Sequence, residues 1–252
     1  MPKPVYRSLP KPFYQREGIT IYHGDCYGMI NRVEYDLLLA DPPYGINLAT
    51  NYSERRAFDD SWGSHGIYPK VHGDNRPFDP KPFVDVPSAL WGANYYSDKL
   101  EVSSGWLVWD KQKPDTLDQS TCELAWTNCV KGVRRFKYLW NGAMRHGYEQ
   151  LYHPTQKPIA LMSWCLSLRW TKDFKRIFDP FLGSGPVLVA CIQLGREGVG
   201  VEIEEGYCEI AAQRCDEAFK LRDRQRANDV DKLRVQRVMQ NRGKQLGIKK
   251  RN

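Results

Sequence analysis

The chain has 252 residues, 41% hydrophobic and 27% charged, which is apolar enough for one packed α/β-sized domain and excludes global disorder. No apolar run approaches about 18 residues and the first twenty positions lack an apolar core, so neither a membrane span nor a secretory leader is expected. The net charge of +7 is concentrated at one end: residues 220–252 hold twelve Lys or Arg against three Asp, and the rest of the chain is slightly acidic.

In chain order, residues 1–18 carry four prolines and are expected to form an irregular arm. ITIYHGD (19–25) predicts a strand ending in a turn. YDLLLAD (35–41) is a continuous apolar run, as expected of a strand buried on both faces of a parallel sheet. Residues 45–86 are rich in Gly, Asp, Asn and Pro without a clear period, which predicts a long functional or mobile loop. GWLVWD (105–110) predicts a third strand. Residues 111–152 mix Trp126, Phe136, Tyr138 and Trp140 with Lys131, Arg134, Arg135, Lys137 and Arg145. The two tryptophans are expected in the core.

The second half alternates more regularly. Apolar spacing from Ile159 to Leu168 predicts a helix, RIFD (176–179) a strand, VLVACIQLG (187–195) a helix capped by Gly195, and EGVGVEI (197–203) a strand. A polar helix over 204–226 then leads into the basic tail. This alternation predicts an α/β fold with a mainly parallel sheet. Seven scattered cysteines with no CxxC pair predict a reduced, cytoplasmic chain without a disulfide framework or a metal module.

Three clusters carry chemistry. Asp179-Pro-Phe-Leu-Gly-Ser-Gly185 lies between a strand and a helix, where glycines let the backbone turn tightly beside a ligand. Glu202 closes the next strand, a place from which an acid can bind ribose hydroxyls. The third glycine of a dinucleotide fingerprint is replaced by Leu188, which favours an adenosine without a pyrophosphate, such as S-adenosylmethionine, over a dinucleotide. Asp41-Pro42-Pro43-Tyr44 leaves the apolar strand at its carboxyl end. An acid, a rigid carbonyl and an aromatic ring in sequence suit a planar amine. His153-Pro-Thr-Gln-Lys157-Pro opens a helix and can hold a carboxylate.

DPPY, HPTQKP and DPFLGSG, in that order, resemble the amino-methylating DNA methyltransferases, and the permuted order is similar to their β group. HGDC (23–26), GANYYSD (92–98), GWLVWDK and VGVEIEEGY agree, so the resemblance covers roughly residues 19–215. The chain departs at Pro186, where the family usually has Thr. The resemblance implies a Rossmann-like methyltransferase fold with a small inserted target-recognition segment at 111–152, between a catalytic half (19–110) and a cofactor half (153–219). It places S-adenosylmethionine against Phe181, Gly183, Ser184 and Gly185 with Asp179 beside them, its ribose on Glu202, its adenine near Asp25 and Cys26, and its carboxylate near His153, Thr155 and Lys157. The target amine falls between Asp41, the main chain of Pro43 and the face of Tyr44, behind the fixed Pro42. The implied reaction is methylation of adenine N6 in a base flipped out of double-stranded DNA. The leading Asp favours adenine over cytosine N4. RNA or protein methylation, and a non-catalytic DNA-binding module, are the weaker alternatives. Lys131, Arg134, Arg135, Lys137 and Arg145 are the expected DNA contacts. The basic tail is read as a phosphate-binding segment or a solvated terminus, and its faint apolar stripe as a homodimer contact.

Overall fold

The computed structural model describes residues 8–48, 70–114, 120–141, 144–147, 149–152 and 155–245. His153, Pro154 and the 49–69 stretch with Arg55 and Arg56 lie outside these residues. The centre is a nine-stranded sheet. In chain order its strands are β1 (Tyr14–Arg16), β2 (Ile19–His23), β3 (Leu37–Ala40), β4 (Ser88–Trp91), β5 (Gly105–Asp110), β6 (Cys122–Thr127), β7 (Val133–Lys137), β10 (Arg176–Asp179) and β11 (Glu197–Glu202). A separate two-stranded ribbon pairs β8 (Trp140–Asn141) with β9 (Met144–Arg145). The helices are α1 (Ile159–Ser167), α2 (Pro186–Leu194) and α3 (Glu205–Gln245).

The strand order is β1-β2-β11-β10-β3-β4-β6-β5-β7. From β2 to β4 every neighbour is parallel, and β6 is antiparallel to both β4 and β5. Five adjacent parallel strands therefore end at one edge. The α/β class with a mainly parallel sheet is as expected. The apolar run of β3 is buried on both faces as its composition requires: Leu37 and Leu39 pack under the helices, Leu38 and Ala40 under the opposite face. The helical face is closed by Leu161, Met162 and Leu166 of α1, by nearly all of α2, and by Cys208, Ala211 and Cys215 of α3. No long helix covers the other face among the described residues. Met29, Ile30, Phe78, Phe83 and Tyr96, carried on turns, fill that role.

The predicted strand at 19–25 and the elements predicted between 159 and 203 are found within a residue or two, and Gly195 ends α2 in the left-handed region (φ 68°), its N–H bonding the Cys191 and Ile192 carbonyls. Pro186 sits in the first turn of α2, where its missing N–H costs nothing. Three features go beyond the sequence reading. The expected irregular arm contains β1, paired with β2 over Tyr14–Arg16. Residues 122–137, within the expected target-recognition segment, supply β6 and β7 to the central sheet. The terminal helix continues to Gln245 without a break. Trp126 and Trp140 are buried, as expected, and all seven cysteines are unpaired. No helix of the described residues is long and apolar enough to cross a membrane.

Candidate active site

The strand order sets the chemistry side by side. Asp25 follows β2, Glu202 ends β11, Asp179 ends β10, Asp41 follows β3, and Gly92–Tyr95 follow β4. Gly24 N–H bonds the Glu202 carbonyl at 2.8 Å, which locks the first two ends together. Neighbouring strands lie about 4.8 Å apart, so the interval from Asp25 to Asp41 is three strand spacings, roughly 14 Å. This carboxyl edge is where open α/β sheets bind ligands.

Asp41 and Tyr44 are one hydrogen-bonded unit. The Tyr44 hydroxyl donates to Asp41 Oδ1 at 2.5 Å, and Lys157 Nζ lies 2.6 Å from Asp41 Oδ2 and 2.9 Å from the Tyr44 oxygen. Lys157 is buried, and its third neighbour is Glu123 Oε2 of β6, at 3.0 Å. Lys111, just past β5, bonds the other Glu123 oxygen at 2.5 Å. Burial pushes the Asp41 carboxyl up, further than Lys157 pulls it down. Burial also works against the charge on Glu123, yet Lys157 and Lys111 hold that carboxyl at about 2. Lys157 is penalised by burial, but Asp41 and Glu123 together raise it above its ordinary value. Lys157, expected near a cofactor carboxylate, has its ammonium on the Asp41 carboxylate. Neither Glu123 nor Lys111 stands out in the sequence.

The Tyr44 ring is wedged in place. Gly92, in the left-handed region (φ 73°), has no side chain, and a Cβ there would fall 1.9 Å from Tyr44 Cε1. Tyr95, half exposed, stacks on the Tyr44 ring with centroids 5.0 Å apart and planes 15° from parallel. The turn after Tyr44 is anchored by buried Asp74. Its carboxylate accepts the N–H groups of Gly45, Ile46 and Leu48, and its carbonyl accepts that of Asn47. Pro42 is buried and Pro43 half-buried between these two anchors.

The second turn, after β10, is built from the expected glycines. Gly183 adopts φ 51° with open space where a Cβ would stand, and its N–H donates to Glu202 Oε2 at 2.7 Å. Gly185 (φ 83°) lets the chain press against Ala211 of α3. Glu202 also accepts Glu204 N–H on Oε1, and each of its oxygens has a further lone pair for a ribose hydroxyl. Room over the Gly183 backbone beside a buried acid fits an adenosine, so these residues suit S-adenosylmethionine. Asp179 is buried, accepts Phe181 N–H, and burial pushes its carboxyl well up. The Phe181 ring packs against Phe78 and Phe83. Ser184 faces inward: its hydroxyl donates to Gln156 and receives Arg214 at 2.8 Å. Gln156, Arg214 and Glu149 tie this turn to the segment ahead of α1. Asp25 caps a short turn through Tyr27 N–H, Cys26 is packed in the core, and Thr155 lies half-buried.

The basic residues are dispersed. β7 runs parallel to β5, so Lys137 ends at the site edge while Lys131 lies at the opposite one. Arg134 covers the Trp170 ring at 4.8 Å, on the face where Phe136 stacks on Trp164. Alternation sends Arg135 and Lys137 to the other face, exposed. Arg145 bonds the Glu149 carbonyl and packs on Trp140.

The comparisons agree with this geometry. A family model described as DNA methylase matches residues 92–213. The chain is 30% identical to the Type II methyltransferase M2.MboI of Moraxella bovis, covering 82% of this chain and 92% of that one. It is 25% identical to M2.LlaDCHI of Lactococcus lactis subsp. cremoris, over the same shares of the two chains. Its fold is similar to that of the cytosine-N4-specific PvuII DNA methyltransferase, with a TM-score of 0.53 at 12% identity over 85% of this chain and 94% of that one. With one relative matched at 30% identity over nearly its whole length, and two loops at one sheet edge that fit a target amine and an adenosine, the chain belongs to the amino-methylating DNA methyltransferases, whose methyl donor is S-adenosylmethionine.

Proposed function

We propose that the chain methylates the N6 amino group of an adenine flipped out of duplex DNA. The supporting observation is the placement of Asp41–Tyr44 and Asp179–Gly185 on the neighbouring strands β3 and β10, at one sheet edge. S-adenosylmethionine, when bound, supplies an activated methyl group. The protein holds it with Glu202 on the ribose side and the Gly183 turn beneath. It holds the amine with Asp41 and the Pro43 carbonyl. An exocyclic amine is a poor nucleophile because its lone pair is delocalised into the ring. Two acceptors for its N–H groups draw the nitrogen toward tetrahedral geometry and free that pair. Fixed acceptors also stabilise the charge that grows on nitrogen. Orientation alone contributes up to about 7–11 kcal/mol in the best cases.

A base within the duplex cannot reach this edge, so extrusion is required, at a cost of a few kcal/mol. The Tyr44 face is covered by Tyr95, and the entering ring must displace it. The leading carboxylate of the DPPY turn is what supports adenine over cytosine N4.

The test is transfer from labelled S-adenosylmethionine to duplex DNA, followed by nucleoside analysis. N6-methyladenine is expected; N4-methylcytosine would reverse the base assignment, and no transfer to any DNA would remove the reading. Asp41→Ala is expected to lose transfer by at least about 10²-fold while retaining cofactor binding. 2-Aminopurine at the target position should brighten when the protein binds.

A further inference from the structure

We propose that Glu123 and Lys111 are positioning residues that set how strongly Lys157 holds Asp41, and through it the target amine. This rests on the reading above, in which Asp41 receives that amine. An ammonium has three N–H donors. Lys157 bonds Asp41 Oδ2 at 2.6 Å and the Tyr44 hydroxyl at 2.9 Å, and it forms an ion pair with Glu123 Oε2 at 3.0 Å. The group is only 4% exposed, so its charge is shared chiefly between these two carboxylates. Glu123 in turn is shared, with Lys157 on one oxygen and Lys111 on the other. The result is a line of alternating charges, Asp41, Lys157, Glu123, Lys111, running from the sheet edge toward β5.

Such a line transmits opposite effects from its two outer members. Neutralising Glu123 leaves the Lys157 charge to Asp41 alone, which tightens the grip and makes Asp41 a weaker proton acceptor. Removing the Lys111 charge leaves Glu123 to draw on Lys157 undivided, which loosens the grip and makes Asp41 a stronger one. The difference matters in one step. As the amine nitrogen gains its fourth substituent it becomes positive. It then sheds one N–H proton to an Asp41 oxygen, and the bonding pair stays on nitrogen and restores its neutrality. Asp41 has about four lone-pair sites, two of them taken by Tyr44 and Lys157, so room remains for an amine hydrogen. The other titratable groups that bear on Asp41 are Tyr96, after β4, and Asp179, at the end of β10. Asp179 accepts the Phe181 N–H and the Tyr96 hydroxyl donates to the Trp91 carbonyl, so the two substitutions leave both in place.

The experiment compares Glu123→Gln and Lys111→Gln with the parent full-length chain. Three quantities are read: the pH profile of kcat on duplex DNA, S-adenosylmethionine affinity by calorimetry, and the protonation of Asp41 by difference infrared titration. The Asp41 band is assigned by its loss in Asp41→Asn. For Glu123→Gln, kcat should fall about tenfold or more and the acid limb should move to lower pH. For Lys111→Gln the acid limb should move to higher pH. The infrared titration should follow both displacements, and cofactor affinity should stay within about twofold of the parent. Glu123→Asp should restore part of the loss. If Glu123→Gln shows no melting transition, Lys111→Gln and Glu123→Asp give the same readout. Limbs that move together, or not at all, overturn the proposal, as does a collapse of cofactor affinity in a folded Glu123→Gln. A parent chain that transfers nothing to DNA removes the underlying reading instead.

Discussion

Asp74 has no motif around it, yet its carboxylate and carbonyl take the N–H groups of four consecutive residues, Gly45 to Leu48. Asp74→Ala strands three of these amides. Leaving a part-buried amide unpaired costs about 1–3 kcal/mol, so a loss of roughly 2–4 kcal/mol in stability is expected, measured by denaturant unfolding. The KM for DNA should rise more than that for the cofactor, because the turn belongs to the Asp41 side. Glu123 gives a prediction in pH. Its folded-state carboxyl is depressed to about 2, so its stabilisation is complete above the ordinary carboxylate value of 4.5 and is lost as pH falls through about 2. The melting-temperature gap between the parent and Glu123→Gln should therefore narrow as pH is lowered across that window; a constant gap would contradict it. At this scale the sequence showed what was contiguous. DPPY and the GSG turn are each a run of adjacent residues, recognisable without their distant partners. Lys157 meets Asp41 across 116 positions, and no local pattern announces such a pairing.

Elements with strong periodicity or long apolar runs were legible from sequence: β3, β5, β10, β11, α1 and α2 stand where the pattern puts them. β1 and β4 were not: β1 has three residues, and β4, SALW, lacks the continuous aliphatic run of β3. In the 111–152 segment, closeness in sequence does not become closeness in space. Its charged residues cluster in sequence, but β7 is a sheet-edge strand, and alternation divides them between two faces. Arg134 packs on Trp170, whereas Arg135 and Lys137 are exposed on the opposite face. Replacing Arg135 and Lys137 by Ala together should lower the slope of log affinity against log salt by about 2, near 0.9 per phosphate contact. Arg134→Ala should leave that slope alone and cost stability through lost packing. Equal slopes for all three would show that the strand does not face DNA.

Seen whole, the molecule is a sheet with helices on one face and turns on the other, and one helix that outruns it. α3 has 41 residues, about 62 Å; among the described residues its last ion pairs to the body are those of Arg222 with Glu17 and Asp223 with Arg16. Residues 223–233 are exposed throughout; within them three Lys or Arg balance three Asp, and most of the tail's excess positive charge follows them in the sequence. A chain ending after Asp223 keeps the buried Phe219 and should fold with an unchanged melting temperature. It should bind all duplexes more weakly, to a similar extent, in a titration at fixed salt; a loss confined to one sequence would instead make this helix a reader of bases. The stacked tyrosines carry a last consequence. Rings 5.0 Å apart leave no gap for a third, so whatever enters must first push Tyr95 aside. A long polymer gripped at many phosphates has energy to spare for that displacement. A solitary nucleoside, held at few points, has almost none, so a free nucleoside should be a far poorer methyl acceptor than a duplex.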